Sequence, residues 1–294
     1  MANLIPLYAW AVPAFTTDSP VDHTWVTTYD NRIDPYPNDQ AVTAAGQFYW
    51  YCWGAFHSQG GTPTNLHGFL GQRAGDAALA QCLVTHNADS RTVPAARGTI
   101  FTYGVDGVCH QLANQVLYAT DSGGGAPLTV SSARGYLAST FIYGIYGLQH
   151  SAWANKIVSC GGAGPQIAFA IGGGIVPGPP DDFEARARQV LEQENPKLLS
   201  DLLALRADTQ RFATQRWPGF SPPSAETLNA RNQHLLNQAA QLLGPSKFKE
   251  IFGFSPGEKI DLVDPTISEG GGGPAVEPPG GPHRRIRKPK RKRK

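Results

Sequence analysis

Seven of the nine residues at positions 172–180 (Gly172-Gly173-Gly174-Ile175-Val176-Pro177-Gly178-Pro179-Pro180) are Gly or Pro. No helix or central strand runs through such a stretch, because proline lacks the backbone donor and glycine pays the largest conformational entropy. The block therefore divides the chain. Before it, short β-favouring runs alternate with turn residues; after it, the pattern turns helical.

In the first part the runs at 8–12, 23–29, 47–56, 99–105, 128–132, 136–143 and 166–171 read as strands. Two helices stand among them, at 75–84 and 109–118. In the second, Leu112, Ala113, Val116 and Leu117 make an apolar stripe that would pack on a sheet. Residues 1–176 thus read as an α+β domain. Asp181 and Asp182 then open a helix running to 194, which Asn195-Pro196 interrupts before it resumes over 197–216. A third helix spans 224–243 and stops at Gly244-Pro245. Residues 177–252 read as a small all-α annex. Residues 253–294 read as a disordered Gly/Pro-rich and polybasic tail, with too little apolar surface to order itself.

The formal charge of +2 conceals an asymmetry. Nine of the 25 Lys and Arg residues lie within 283–294, leaving 16 against 23 acidic residues elsewhere, a net charge of −7. Phosphate-backbone contact is accordingly expected of the tail and not of the body. Cys52, Cys82, Cys109 and Cys160 are too few and too widely spaced for a disulfide scaffold, and a hydrophobic share of 41% suffices for a core, so folding without disulfides in a reducing compartment is expected. No charge-free apolar run reaches the roughly 18 residues of a membrane helix. With no positive charge ahead of the apolar opening, and Pro6 interrupting it, no secretory signal is read. The expected location is cytoplasmic, or outside the cell by a signal-independent route.

The stretch 99–114 carries the chemistry. It reads as a strand, a Gly-assisted turn at Gly104-Val105-Asp106-Gly107, and a helix opening at Cys109. A helix N-terminus favours an anion and so a thiolate, and its unpaired N–H groups can serve a developing oxyanion. A thiolate nucleophile needs an imidazole partner. His23 opens a β-favouring run and would stand at a strand end, with His57, at the far end of the antiparallel run 47–56, as the orienting third group. His150 with Asn155 is the alternative, but His150 reads as lying where a turn enters a helix. Cys82 and His86 have metal-ligand spacing without a second pair, and Gly172 to Gly174 lack the Lys and Ser/Thr of a phosphate loop, so neither a metal nor a nucleotide cofactor is expected. The segment at 103–110 also echoes 143–150, Tyr-Gly-Val-Asp-Gly-Val-Cys-His against Tyr-Gly-Ile-Tyr-Gly-Leu-Gln-His.

A helix that begins with Cys and packs on a sheet, preceded in the chain by a strand-opening His, resembles the papain-like cysteine hydrolases, and the His-before-Cys order is similar to their circularly permuted branch. The resemblance covers 21–118, about a third of the chain. It implies a papain-like antiparallel sheet with a Cys-bearing helix, Cys109 as nucleophile and His23 as general base. The implied function is a thiol hydrolase, a peptidase, amidase or isopeptidase, acting on a peptide or amide substrate through a Cys109 thioester. The low Lys and high Ala, Gly and Pro content of the body fits a GC-rich bacterial source and with it a delivered effector. The alternative is a non-enzymatic interaction protein with an aromatic binding surface, its basic tail tethering it to nucleic acid or another anionic partner.

Overall fold

The computed structural model describes residues 4–14, 18–28, 30, 50–51, 68–83, 103–120, 127–148, 150–162, 170–171, 174–175, 181–214 and 223–265. Four antiparallel strands, β1 (Leu4–Pro13), β2 (Asp22–Thr27), β3 (Trp50–Tyr51) and β4 (Gly68–Asp76), form one sheet in the order β3-β2-β1-β4. β1 and β2 pair from Tyr8↔Thr27 to Pro13↔Asp22 without slippage. The alternation of a strand then assigns the two faces. Ile5, Leu7, Ala9, Ala11 and Val26 join the main core, whereas Trp10 and Trp25 form a separate cluster with Tyr8 and Val12. The Trp10 indole donates to Thr27 Oγ1 at 2.8 Å on that second face.

The helices are α1 (Ala77–Leu83), α2 (Cys109–Leu117), α3 (Tyr136–Tyr143), α4 (His150–Ser159), α5 (Asp182–Leu191), α6 (Pro196–Ala213) and α7 (Ala225–Phe252), with a two-strand ribbon, β5 (Ala170–Ile171) and β6 (Gly174–Ile175), between α4 and α5. The architecture is α+β. α2 lies on β2. α5, α6 and α7 share one hydrophobic core with the sheet and α2, so the helical part is fused to the first rather than appended to it. Arg206 of α6 makes the weld: its guanidinium reaches both carboxylate oxygens of Asp181, donates to the Thr140 carbonyl at 2.9 Å, and lies 4.8 Å over the Phe183 ring.

Several elements differ from the sequence reading. Residues 136–143, read as a strand from their Tyr, Thr, Phe and Ile content, are helix α3. The segment lies between α2, α6 and α7 with seven of its eight residues buried, and packing from every side overrides β-propensity. Thr140 donates to the Tyr136 carbonyl one turn back at 3.1 Å, and Ser139 Oγ lies 2.8 Å from the same oxygen. Residues 128–132 form no strand. β4, absent from the sequence reading, replaces the start of the helix expected at 75–84; its Gly-rich sequence hid it, and Gly75 is there because a Cβ would meet Leu7 Cδ1 at 2.5 Å. α7 continues through Gly244-Pro245 as a kink, with Gly244 at φ 71°, to Phe252.

Residues 253–265, assigned from sequence to the tail, fold back along α7. Phe254, Ile260, Leu262 and Val263 are buried, and Val263 exchanges two backbone bonds with the Asn229 amide, at 2.8 and 2.9 Å. Cys82 and Cys160, expected as separate thiols, form a disulfide between α1 and the end of α4, with Cα atoms 5.8 Å apart. That removes Cys82 as a thiolate for metal. Because disulfides persist in oxidising compartments, it weighs against the reducing one expected above. Among the described residues no helix is long and apolar enough to cross a membrane.

Candidate functional site

Cys109 is the first residue of α2. Val108 caps the helix in an extended conformation, and its backbone N–H donates to Gln111 Oε1 at 3.1 Å. Gly104, at φ 79°, makes the turn that delivers the chain to this point. A side chain there is forbidden twice over, by the left-handed backbone and by Val263 Cγ1 and Leu228 Cδ1 at 2.7 and 2.9 Å from where a Cβ would stand.

The sulfur is buried, with 4% of the residue exposed, and lies 3.9 Å from the Asp22 carbonyl oxygen. Its pKa is pushed up to about 11, first by desolvation and also by the Asp264 carboxylate, against the pull of Thr24 and of the His110 backbone. The helix terminus does not rescue the thiolate. A macrodipole contributes about 0.3–1 kcal/mol, whereas the rise to about 11 corresponds to roughly 3 kcal/mol in the other direction. Tyr103 sits in the same pocket of charge, its phenol raised well above the usual range by burial and then by Cys109 and Asp264. The Asp264 N–H donates to its hydroxyl at 3.3 Å.

His23 does not join this group. Its ring stacks on Trp25, 6.1 Å between centroids, on the Trp10 face of the sheet, while Asp22 and Thr24, its neighbours on β2, face α2. Burial, then the proximity of His110, lowers its pKa to about 3, so it is neutral at pH 7. His57 lies outside the described residues. His150 is the first residue of α4, and Asn155, its proposed companion, is exposed on that helix. Cys109 thus stands next to the strand that carries His23, yet on the other side of it.

His110 is the imidazole nearest in sequence, and both its nitrogens are occupied. Nε2 lies 2.9 Å from the Asp22 carbonyl and Nδ1 2.8 Å from Ser139 Oγ. A carbonyl only accepts, so Nε2 carries the proton and Nδ1 accepts from the serine. Burial lowers its pKa to about 4, with the Asp22 carbonyl opposing.

The polar face of α2 has an architectural task that the sequence reading passed over. Gln111, Asn114 and Gln115 donate in order to the carbonyls of Gly144, Ile145 and Tyr146, at 3.0, 3.0 and 2.8 Å. Asn114 also donates to Tyr136 Oη at 2.9 Å and accepts from the Val130 N–H at 3.0 Å. The signal was present as three amides at i, i+3 and i+4, the spacing of one helix face. The two echoed segments meet here: Gly104 and Gly144 both have positive φ, Tyr143 Oη donates to the Gly104 carbonyl at 2.7 Å, and the Leu148 N–H donates to the Asp106 carbonyl at 2.8 Å. Each segment leads into a helix, α2 or α4.

Chemically the thiol and both imidazoles, those of His23 and His110, are neutral, and no group of metal ligands occurs among the described residues. No family model, curated protein or solved structure matches the chain.

Proposed function

We propose that this protein is a non-enzymatic interaction protein: a compact body carried to a polyanion by the basic run at 284–294. The observation that carries the reading is the charge separation, nine Lys or Arg in the twelve residues 283–294 against a net −7 in the rest. A body of that sign repels phosphate, so attachment is left to the run, and neutralising phosphates there releases condensed counterions. The burial of Cys109 and the placement of His23 on the opposite face of the sheet support this over the thiol-hydrolase reading. Trp10 and Trp25 are themselves buried and offer no exposed aromatic surface.

The test is fluorescence anisotropy with a labelled duplex DNA, for the full chain and for one truncated after Pro265. With about five phosphates neutralised, Kd should weaken about 10²–10³-fold between 50 and 200 mM salt, and the truncated chain should lose binding at either. Equal affinity of the two chains, or a Kd indifferent to salt, rejects the reading. The papain-like hydrolase remains the rival, and it requires Cys109 to react as a thiolate near neutral pH.

A further inference from the structure

Of the cysteines among the described residues, solvent reaches only the bridged pair. Cys82, in the last turn of α1, is exposed, Cys160, just past the end of α4, is half-buried, and Cys109 is sealed in the core. Thiol–disulfide exchange requires an incoming thiolate to reach a sulfur, and exposed disulfides are the labile ones, whereas covered ones persist as structural cross-links. The Cys82 side of the bridge meets that requirement.

The bridge also spans a thin part of the fold. α1 has seven residues, too few to stand as a helix without support. The Asp76 carboxylate caps it, accepting from the Ala78 and Leu79 N–H groups at 2.8 and 3.0 Å, and it turns Ala77, Ala80 and Leu83 to the core. α4 is anchored further back along its length. Trp153 stacks on Tyr146 with 4.1 Å between ring centroids and meets Tyr118 edge-on at 4.8 Å, and Ile157 is the last buried residue of the helix. Beyond it Val158 is 64% exposed, Ser159 and Gly161 are exposed, and the chain closes on its own backbone, the Gly162 N–H donating to the Ile157 carbonyl at 3.0 Å. From α1, Leu79 lies against Gly162, where a Cβ would stand 3.1 Å from its Cδ1. The covalent bond thus joins two segments whose main anchors are separate, α1 on α2 and α4 through the Trp153–Tyr146 stack.

We propose that Cys82–Cys160 is a redox latch, opened in the folded protein by a dithiol reductant that attacks Cys82. A thiolate of the reductant bonds to Cys82 Sγ, the S–S bond breaks, and Cys160 leaves as a thiolate. The reductant's second thiolate then attacks the mixed disulfide and releases Cys82. Two electrons pass to the bridge, the reductant ends as a disulfide, and the two freed cysteines take up the protons its thiols gave up. Cys109, being buried, takes no part. α1 and the end of α4 are then free to part, while α2 and its amide contacts stay in place. The latch is closed where disulfides persist and open where dithiols are kept reduced, so it distinguishes compartments independently of the basic run.

The full chain, held in native buffer with dithiothreitol and then alkylated, should gain mass on Cys82 and Cys160 at a rate proportional to the dithiol concentration. Hydrogen-exchange mass spectrometry in the same dithiol should show residues 78–83 and 158–162 exchanging roughly tenfold or more faster than in the bridged protein, with α2 still protected. The double variant Cys82→Ser/Cys160→Ser should show that fast exchange without dithiol and no response to it. Three results overturn the proposal and leave the disulfide a structural cross-link: a bridge that resists dithiothreitol until denaturant unfolds the chain, α2 protection that collapses together with that of α1, or unchanged exchange at 78–83 once the bridge is open.

Discussion

The Cys109 sulfur and the His23 ring lie on opposite faces of β2, although the sulfur is 3.9 Å from the carbonyl of Asp22, the residue just before His23. One residue of a strand separates contact from exclusion, because successive side chains point to opposite sides. A shift of one position would have put an imidazole beside the thiol. The continuous β1–β2 register, Val12 opposite His23 and Trp10 opposite Trp25, fixes the side on which it lies.

Cys109 should therefore resist alkylation. With a pKa of about 11, only about one thiol in a thousand is ionised at pH 8, and burial slows the rest. Mass spectrometry of the folded protein in iodoacetamide should find Cys109 unmodified after Cys82 and Cys160, once reduced, have reacted. His23→Ala should leave its rate unchanged. Rapid labelling of Cys109 at pH 7, slowed by His23→Ala, would restore the hydrolase.

Acid should destabilise the fold well above the carboxylate range. His23 and His110 have folded pKa values lowered to about 3 and about 4, against about 6.5 when unfolded. The unfolded chain then binds more protons, so their contribution is complete above pH 6.5 and is lost as pH falls toward the folded values. Each histidine costs up to about 1.4 kcal/mol per pH unit in that window, half of that at pH 6.5 itself, so stability should drop roughly 3 kcal/mol between pH 6.5 and 5. Urea midpoints across that range test this, and His23→Leu should halve the slope.

Asn114→Leu should be among the most damaging single changes in the body. It leaves the Ile145 carbonyl and the Val130 N–H buried without partners, at about 1–3 kcal/mol each. A loss of roughly 2–5 kcal/mol by denaturant unfolding is expected, whereas Asn155→Leu, at an exposed position of α4, should move the midpoint little. Comparable losses in the two variants would refute this role for Asn114.

Reduction of Cys82–Cys160 should lower thermal stability without disrupting the Cys109 network. The cross-link closes a loop over a sequence separation of 78, for which the chain-entropy model gives about 4–5 kcal/mol. Thermal unfolding with and without reductant measures it. An unchanged melting temperature, with both thiols shown by mass to be free, would contradict the role.

Some of this was written in the order of residues. The Asp181 and Ser224 caps, the Asn195-Pro196 break and the Gly104 turn into α2 are local, set by side chains that bond their own backbone or by a φ that only glycine tolerates. The helix-opening position of Cys109 was legible for the same reason. The charge separation is likewise a property of the sequence alone.

What the tertiary structure decided was everything that depends on a neighbour distant in the chain. Tyr136–Tyr143 is a helix because of what surrounds it, and Phe254 to Val263 are packed because α7 and Gly104 leave a place for them. The face on which His23 lies follows from pairing with β1, and the ionisation of Cys109 follows from burial beneath Asp22 and beside Asp264. Strand register and desolvation are sums over contacts that no local pattern contains, so a thiol well placed on its own helix became a core residue of the whole.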